Sequence, residues 1–499
     1  MITPTENDFL ALAAKGNLVP VYREILADTE TPVSAYQKLD RRGGAFLLES
    51  VEGGEHLGRY SFVGANPRAV LRSDGNSVVL HEHGKKSVLK DLSDPLVALE
   101  RVMARFHPVT VEGLPRFCGG AVGFLGYEYV HRIEPTVPQP KEGSLGTPDV
   151  LFMIADTVLI FDRVSQTIKI VCNSHIEDKT KARAAYRDAV RKIDAIVRRL
   201  RAPLKPADRR PRDYQRQPPR VPFPSNLTQK RFEEMVRKSN EYICAGDIIQ
   251  VVLAQRFSAK VRASALDIYR ALRSVNPSPY MFLLDFGDLQ LVGASPEVHV
   301  RCEDGHVEIR PIAGTRPRGK TPDEDIVLEK SLLADPKERA EHVQLVDLAR
   351  NDIGRVCEYG SVRVSEFMFI ERYSHVIHIV SNVEGKLQRD KTVYDLMRAT
   401  FPAGTVAGAP KIRAMQIISE LENCQRATYA GAVGYFSFNG NLDSCITIRT
   451  ALLKNGRAYV QTGAGCVLDS KPENEYQECI NKAKGMIKAI ALAESFRPK

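Results

Sequence analysis

Apolar residues in this chain mostly recur in short alternating runs, with helical spacing confined to fewer, longer segments. AFLLESV, YSFVGA, AVLRS and SVVLHEH read as short strands, and VLFMIADTVLIFD and QTIKIVCN as two longer ones. DPLVALERVMARF and KARAAYRDAVRKIDAIVRRL carry apolar positions three and four apart, which predicts helices. NLTQKRFEEMVRKSNEYICAGD predicts another, with Thr228 as N-cap and Gly246 near its end, followed by a strand in IIQVVLAQRFSAKV. Further strands are expected in PYMFLLDFG, LQLVGAS, HVEIRPIAG and HVIHIVSNVEGKL, with one long helical region from about 325 to 351. AGAVGYFSFNG, CITIRTALLKNG and RAYVQTGAGCVLD predict an antiparallel meander before a final helix, PENEYQECINKAKGMIKAIALAES. Strands joined by short turns indicate an α+β class, with antiparallel β-sheets packed as a sandwich and helices outside.

A length of 499 residues is too great for one small core. The net charge of +9 is concentrated in KIDAIVRRLRAPLKPADRRPRDYQRQPPR, which is rich in Pro and Arg and has little to bury. It reads as a solvated linker over 201–224 rather than a nucleic-acid site. That divides the chain into an N-terminal region, 1–200, and a C-terminal domain, 225–499. No run of 18 apolar residues and no basic-then-apolar leader occurs, so neither a membrane span nor a signal peptide is expected. Nine scattered cysteines without a C-x-x-C pair suit a reducing cytoplasm.

Candidate chemistry lies in two Glu-x-x-Glu pairs. Glu338 and Glu341 share one helix face, and Glu475 and Glu478 another, with Lys482 one turn beyond. If the pairs meet, they repel unless a cation lies between them, and oxygen-only ligands favour Mg²⁺. If they do not meet, they are solvated helix faces. QTGAGC, with Gly463, Ala464 and Gly465, and FPAGTVAGAP, with Thr405 and Gly408, precede helices and could let backbone amides approach an anion; they could equally be turns. Neither matches a nucleotide-binding loop. Arg449, in the apolar run CITIRTALL, needs an anionic partner, either a structural salt bridge or a ligand.

In order along the chain, FLLES, NPSPYMFLLDF, GASPE, PIAGTRPRG, ERAEHVQLVDLARND, HVIHIVSNVEG, FPAGTVAGAPK, TYAGAVGYF, DSCITIRTA, QTGAGCVLDS and the final E-x-x-E-x-x-x-K resemble the chorismate-utilising enzymes. They are most similar to the large (component I) subunits of anthranilate synthase. The resemblance covers nearly the whole chain and implies the fold of that family, including the aminodeoxychorismate synthases. It implies Mg²⁺-dependent conversion of chorismate and ammonia to anthranilate and pyruvate, the first committed step of tryptophan biosynthesis, with region 1–200 regulatory and domain 225–499 catalytic.

By the same resemblance, Glu338, Glu341, Glu475 and Glu478 would hold Mg²⁺ against the ring carboxylate, with Gly314, Thr315 and Lys482 nearby. Tyr429, Arg449 and Gly463, Ala464 and Gly465 would hold the enolpyruvyl carboxylate, and Thr405 would make a further substrate contact. Glu297 matches the general acid and His378 the active-site histidine. Gln250 stands where water-using members carry a lysine base, and Ala313 where aminodeoxychorismate synthases carry a nucleophilic lysine; both point to the anthranilate branch. The chain has no Gly-x-Cys-x-Gly nucleophile turn, so ammonia would come from glutamine through a separate amidotransferase (component II) subunit, in a heterotetramer of two large and two small chains. Ser50, Pro279, Tyr280 and Met281 match the pocket for the feedback inhibitor L-tryptophan.

Overall fold

The computed structural model describes residues 1–51, 58–90, 92–140, 142–204, 218, 221–373 and 376–496. Two twelve-stranded sheets face each other, and their named strands pair antiparallel throughout. Phe62, Phe282 and Leu291 from the first sheet and Phe124, Val433 and Tyr435 from the second share the apolar layer between them. Phe117 stacks on Tyr435 at 4.1 Å and meets Phe62 edge-on at 5.1 Å. Helices cover the outer faces. Ala182–Arg201, Ala265–Val275 and Pro472–Ser495 lie on the first sheet, and Pro336–Gly354 and Val393–Thr400 on the second.

Both sheets take strands from each side of the basic segment. Ala45–Glu49 pairs with Tyr280–Asp285, with Leu47 opposite Leu283, and Gly120–Leu125 pairs with Ala432–Ser437. The division predicted at 201–224 is therefore one of sequence, and no sheet ends there. Arg201 itself closes the helix Ala182–Arg201, and most of the basic segment lies outside the described residues. Among the described residues, no helix is long and apolar enough to cross a membrane.

Three predicted elements are broken, each for a visible reason. The helical region at 325–351 is two helices, Pro322–Ala334 and Pro336–Gly354. Asp335 ends the first and caps the second, accepting from the Lys337 and Glu338 amides, and Pro336 fits the first turn because it has no amide to satisfy. VLFMIADTVLIFD is not one long strand. Val150–Ala155 belongs to the second sheet and Thr157–Asp162 to the first, with the chain crossing at Asp156. CITIRTALLKNG likewise divides between Leu442–Ile446 in the second sheet and Thr450–Lys454 in the first. The predicted meander is thus two hairpins, one in each sheet. Alternation continues through such a crossing because both halves are buried, so the pattern carries no mark of the change.

Candidate active site

Two crossings between the sheets lie side by side. Pro296–Glu297 joins Leu289–Ser295 to Val298–Glu303, and Thr447–Arg449 joins Leu442–Ile446 to Thr450–Lys454. The Ile446 amide donates to the Glu297 carbonyl at 3.1 Å, and the Ala294 amide to the Arg449 carbonyl at 3.2 Å. Residues here have left the ladders of both sheets, which frees their side chains from strict alternation. Arg449 is accordingly not in mid-strand as expected from its apolar surroundings. It sits in the turn with a left-handed φ of 51°.

Glu297 is 7% exposed and accepts a hydrogen bond from Thr405 Oγ1 at 2.7 Å. Thr405 arrives on the 3₁₀ turn Gly404–Val406. Burial pushes the Glu297 carboxyl up to about 7, against the opposing pulls of the Thr405 hydroxyl and the Lys482 charge. A carboxylic acid of that kind holds its proton near neutrality and can give it up.

Arg449 is half-buried, and desolvation lowers its pKa although Tyr429 and Glu478 favour the charge. Its guanidinium reaches the Lys482 carbonyl at 3.5 Å, and among the described residues it makes no salt bridge. The structural salt bridge open to it on sequence grounds is therefore not formed within those residues. Tyr429 is buried, which raises its pKa and keeps its hydroxyl neutral, and that hydroxyl lies 2.7 Å from where a Cβ on Gly463 would stand. Gly463, Ala464 and Gly465 are not a loop before the last helix but the C-terminal part of the strand Arg457–Cys466. They lie opposite Ala254, Leu253 and Val252. Any side chain at Gly463 would collide with Tyr429, and at Gly465 with the Gln250 amide nitrogen at 2.8 Å. Gln250 opens the opposing strand and is buried, accepting from Gln344 Nε2.

Thr315 lies on the edge strand Ile312–Pro317 of the second sheet, and His378 lies opposite it on Val376–Lys386. The pairing slips at Gly314, where φ is +74°, a conformation glycine adopts without strain. The slip turns the Gly314 carbonyl toward His378 Nδ1 at 2.9 Å; Thr315 Oγ1 is 3.2 Å from the same nitrogen. A carbonyl only accepts, so Nδ1 carries the proton and Nε2 is left as an acceptor. Burial, reinforced by Arg449, lowers the His378 pKa and favours this neutral form. Ala313, beside Gly314, is buried and offers no nucleophile.

The two Glu-x-x-Glu helices approach one another. Burial raises the pKa of Glu341, and the charges of Glu338 and Glu478 raise it further. Glu475 is raised by burial and by Glu478. Cations already answer part of this charge. Arg316 bonds Glu338 at 3.0 Å and Asp335 at 2.8 Å, and Lys482 pairs with Glu478 at 2.5 Å while donating to the Gly463 carbonyl at 3.0 Å. Among the described residues, no three acidic, histidine or cysteine side chains converge closely enough to cage an ion. Oxygen donors spread over two helices, with the Glu341 and Glu475 carboxyls raised by burial and then by acidic neighbours, are the kind a hard divalent cation that keeps water and substrate oxygens in its shell would take.

Ser50, Pro279, Tyr280 and Met281 line one cavity, at a distance in sequence from these groups. Register explains the meeting, because Met281 lies opposite Glu49, and the Val51 amide donates to the Ser278 carbonyl at 3.3 Å. Tyr280 donates to Asp443 at 2.9 Å, and Arg301 and Arg116 also bond Asp443, at 3.3 and 3.0 Å.

Residues 43–488 match the family described as chorismate binding enzyme. The chain belongs to that family. It is 47% identical to anthranilate synthase component 1 of Acetivibrio thermocellus, over all of both chains, and 48% identical to that of Aquifex aeolicus over 97% of each. The crystal structure of anthranilate synthase component I from Streptococcus pneumoniae TIGR4 superposes with a TM-score of 0.76 at 40% identity, covering 93% of this chain and 99% of that one. The Escherichia coli isochorismate synthase MenF shares the fold, with a TM-score of 0.69 at 18% identity.

Several charged groups around these sites escaped the sequence pattern. Arg316, Arg301, Asp443 and the buried pair Glu422–Arg426 all touch or flank the predicted residues. Arg301 and Asp443 interrupt apolar strands, VHVRCE and LDSCI, and a charge in such a run was the available signal.

The raised pKa of Glu297 has a stability consequence. The folded carboxyl holds its proton up to about 7, whereas an unfolded one loses it near 4.5. Between those values the native state binds more protons, so this residue costs stability as pH rises and the full cost is present above 7. Glu297→Gln removes the ionisation while keeping an acceptor for Thr405. Thermal unfolding should show the variant more stable than the parent at pH 8, by on the order of 1–3 kcal/mol, and similar to it at pH 5. An equal difference at both pH values would show that Glu297 is not held protonated.

Proposed function

We propose that this chain converts chorismate and ammonia into anthranilate, pyruvate and water. The observation that carries the reading is the Arg449 guanidinium, without a salt bridge among the described residues, on the crossing beside that of Glu297 and within reach of the Glu478 charge. Chorismate is a dicarboxylate, with one charge on the ring and one on the enolpyruvyl group. Arg449 and the Tyr429 hydroxyl bind the enolpyruvyl carboxylate, while the Gly463–Gly465 strand lets the substrate approach the backbone. The ring carboxylate lies toward Glu338, Glu341, Glu475 and Glu478, near Gly314 and Thr315. Mg²⁺ held there supplies the positive charge that lets an anionic substrate group approach anionic side chains.

As ammonia adds to the ring, Glu297 protonates the departing hydroxyl, which leaves as water. Thr405 keeps the acid aimed. His378, neutral and with Nε2 free of its proton, takes the ring proton as the enolpyruvyl group leaves; that group gains a proton and becomes pyruvate. Gln250 cannot deprotonate water, and Ala313 cannot attack the ring, which supports direct amination over hydroxylation or a covalent lysine route. The reading agrees with the similarity of this chain to anthranilate synthase component 1 of Acetivibrio thermocellus and Aquifex aeolicus.

Regulation and supply extend the proposal. L-tryptophan fits the Ser50–Met281 cavity, whose apolar walls suit an indole and whose Arg116, Arg301 and Asp443 suit a zwitterion. A smaller cavity shares Pro279, Tyr280 and Arg301 with it and is lined also by Pro296 and Ile312, the neighbours of Glu297 and Ala313. An occupant of the first cavity thus has a short mechanical path to the acid. A component II glutamine amidotransferase supplies ammonia, and two chains of each kind form the complex.

Purified chain given chorismate, Mg²⁺ and ammonium should generate anthranilate fluorescence, and Glu478→Gln should lower that turnover by roughly a hundredfold or more. A folded chain without turnover would sink the reading, and a product that keeps its enolpyruvyl group would select aminodeoxychorismate formation. Ser50→Phe fills the first of these cavities. It should leave basal turnover in place and abolish inhibition by L-tryptophan; unchanged inhibition would place the inhibitor elsewhere.

A further inference from the structure

Arg426 is 1% exposed, one of the largest side chains fully buried in the protein. Its guanidinium forks onto Glu422, one helical turn earlier in sequence, with Nε bonded to Oε2 at 2.9 Å and Nη2 to Oε1. Two donors remain directed at main-chain oxygens. Nη1 donates to the Val406 carbonyl at 2.8 Å and Nη2 to the Val252 carbonyl at 2.7 Å. The guanidinium also faces the rings of Tyr127 and Tyr429, with centroids at 4.8 and 5.5 Å. Glu422 Oε1 accepts from the Ala254 amide at 2.8 Å.

These partners belong to separate walls of the site. Val406 follows Thr405 on the turn that holds Glu297, and Tyr429 is a proposed substrate contact. Val252 and Ala254 lie opposite Gly465 and Gly463. A buried ion pair gains little stability over an apolar pair of the same volume. What apolar groups could not supply is a rigid planar fork that fixes two carbonyls and an aromatic ring at once.

We propose that Arg426, held by Glu422, is a positioning residue that fixes the Thr405 turn and Tyr429 against the strand Gln250–Lys260. The proposal rests on the reaction above, in which Glu297 is the proton donor. If the Val406 carbonyl is released, the Thr405 turn relaxes and its hydrogen bond to Glu297 weakens. That bond favours the ionised acid, so its loss raises the Glu297 pKa, and the high-pH limit of turnover moves upward. The groups facing Glu297 are Thr405 from the turn, Lys482 from the C-terminal helix, and, around the adjoining cavity, His299 and Asp352, the latter paired with Lys411 at 2.7 Å. Arg426 acts on Glu297 through the first of these.

The test compares the pH profile of kcat and the thermal unfolding of the full-length chain with those of Arg426→Lys, the double variant Arg426→Met with Glu422→Met, and Thr405→Val. The double variant removes both charges and so avoids a stranded carboxylate. Folded Arg426 variants should lose roughly tenfold or more in kcat, and their high-pH limb should shift upward by about 0.5–1 unit. Thr405→Val should shift the limb the same way, and adding Arg426→Lys to it should shift it no further. A folded Arg426→Lys with the parental limb, whether kcat falls or not, overturns the proposal, as does failure of both Arg426 variants to fold. A parent chain that forms no anthranilate overturns the underlying reaction instead.

Discussion

Arg449 is a guanidinium partly withdrawn from water that forms no salt bridge among the described residues, although the nearby Glu478 charge favours its ionised form. The rest of the site follows from how the chain puts it there. Thr447–Arg449 crosses from one sheet to the other beside Pro296–Glu297, and the two crossings are joined by main-chain hydrogen bonds. One crossing therefore contributes a cation and the other a buried acid. Lys482 lies within reach of both, through its carbonyl to Arg449 and through its charge to Glu297, and it pairs with Glu478 at the edge of the carboxylate group. Positive charge at one end and negative charge at the other are what the proposed binding of a dicarboxylate with a divalent ion rests on.

Much of the architecture was legible because alternation and helical spacing are set by which face is buried. The strands Gln250–Lys260 and Tyr280–Asp285, the Thr228 cap and the terminal helix all lie where that pattern puts them. The sheet crossings at Asp156 and Thr447–Arg449 were not legible, since residues on both sides of each remain apolar. The helix break at Asp335–Pro336 was missed although its cap and proline were visible, because apolar spacing runs on across it.

The site was legible in a different way. Spacing alone gave two carboxylate pairs with no reason to meet, and the family motifs supplied the rest. The structure adds what motifs do not contain: why Gly314 must be glycine, which nitrogen of His378 is protonated, and why Gly463 can carry no side chain beside Tyr429. The residues missed, Arg316 and Arg426 above all, act on predicted groups from segments with no distinctive spacing of their own. The division of labour is also clearer. In the proposed reaction the glutamates and Arg449 recognise the charges of the substrate, whereas Gln250 and Ala313 mark the reaction by what they cannot do.

The central claim is that substrate and cation complete the site together, so each must bind better when the other is present. Calorimetric titration of chorismate into the chain without ammonium, with and without Mg²⁺, measures this directly. The dissociation constant for chorismate should fall roughly tenfold or more when Mg²⁺ is added, and that for Mg²⁺ should fall by the same factor when chorismate is added. Chorismate binding that is indifferent to Mg²⁺ would contradict the account.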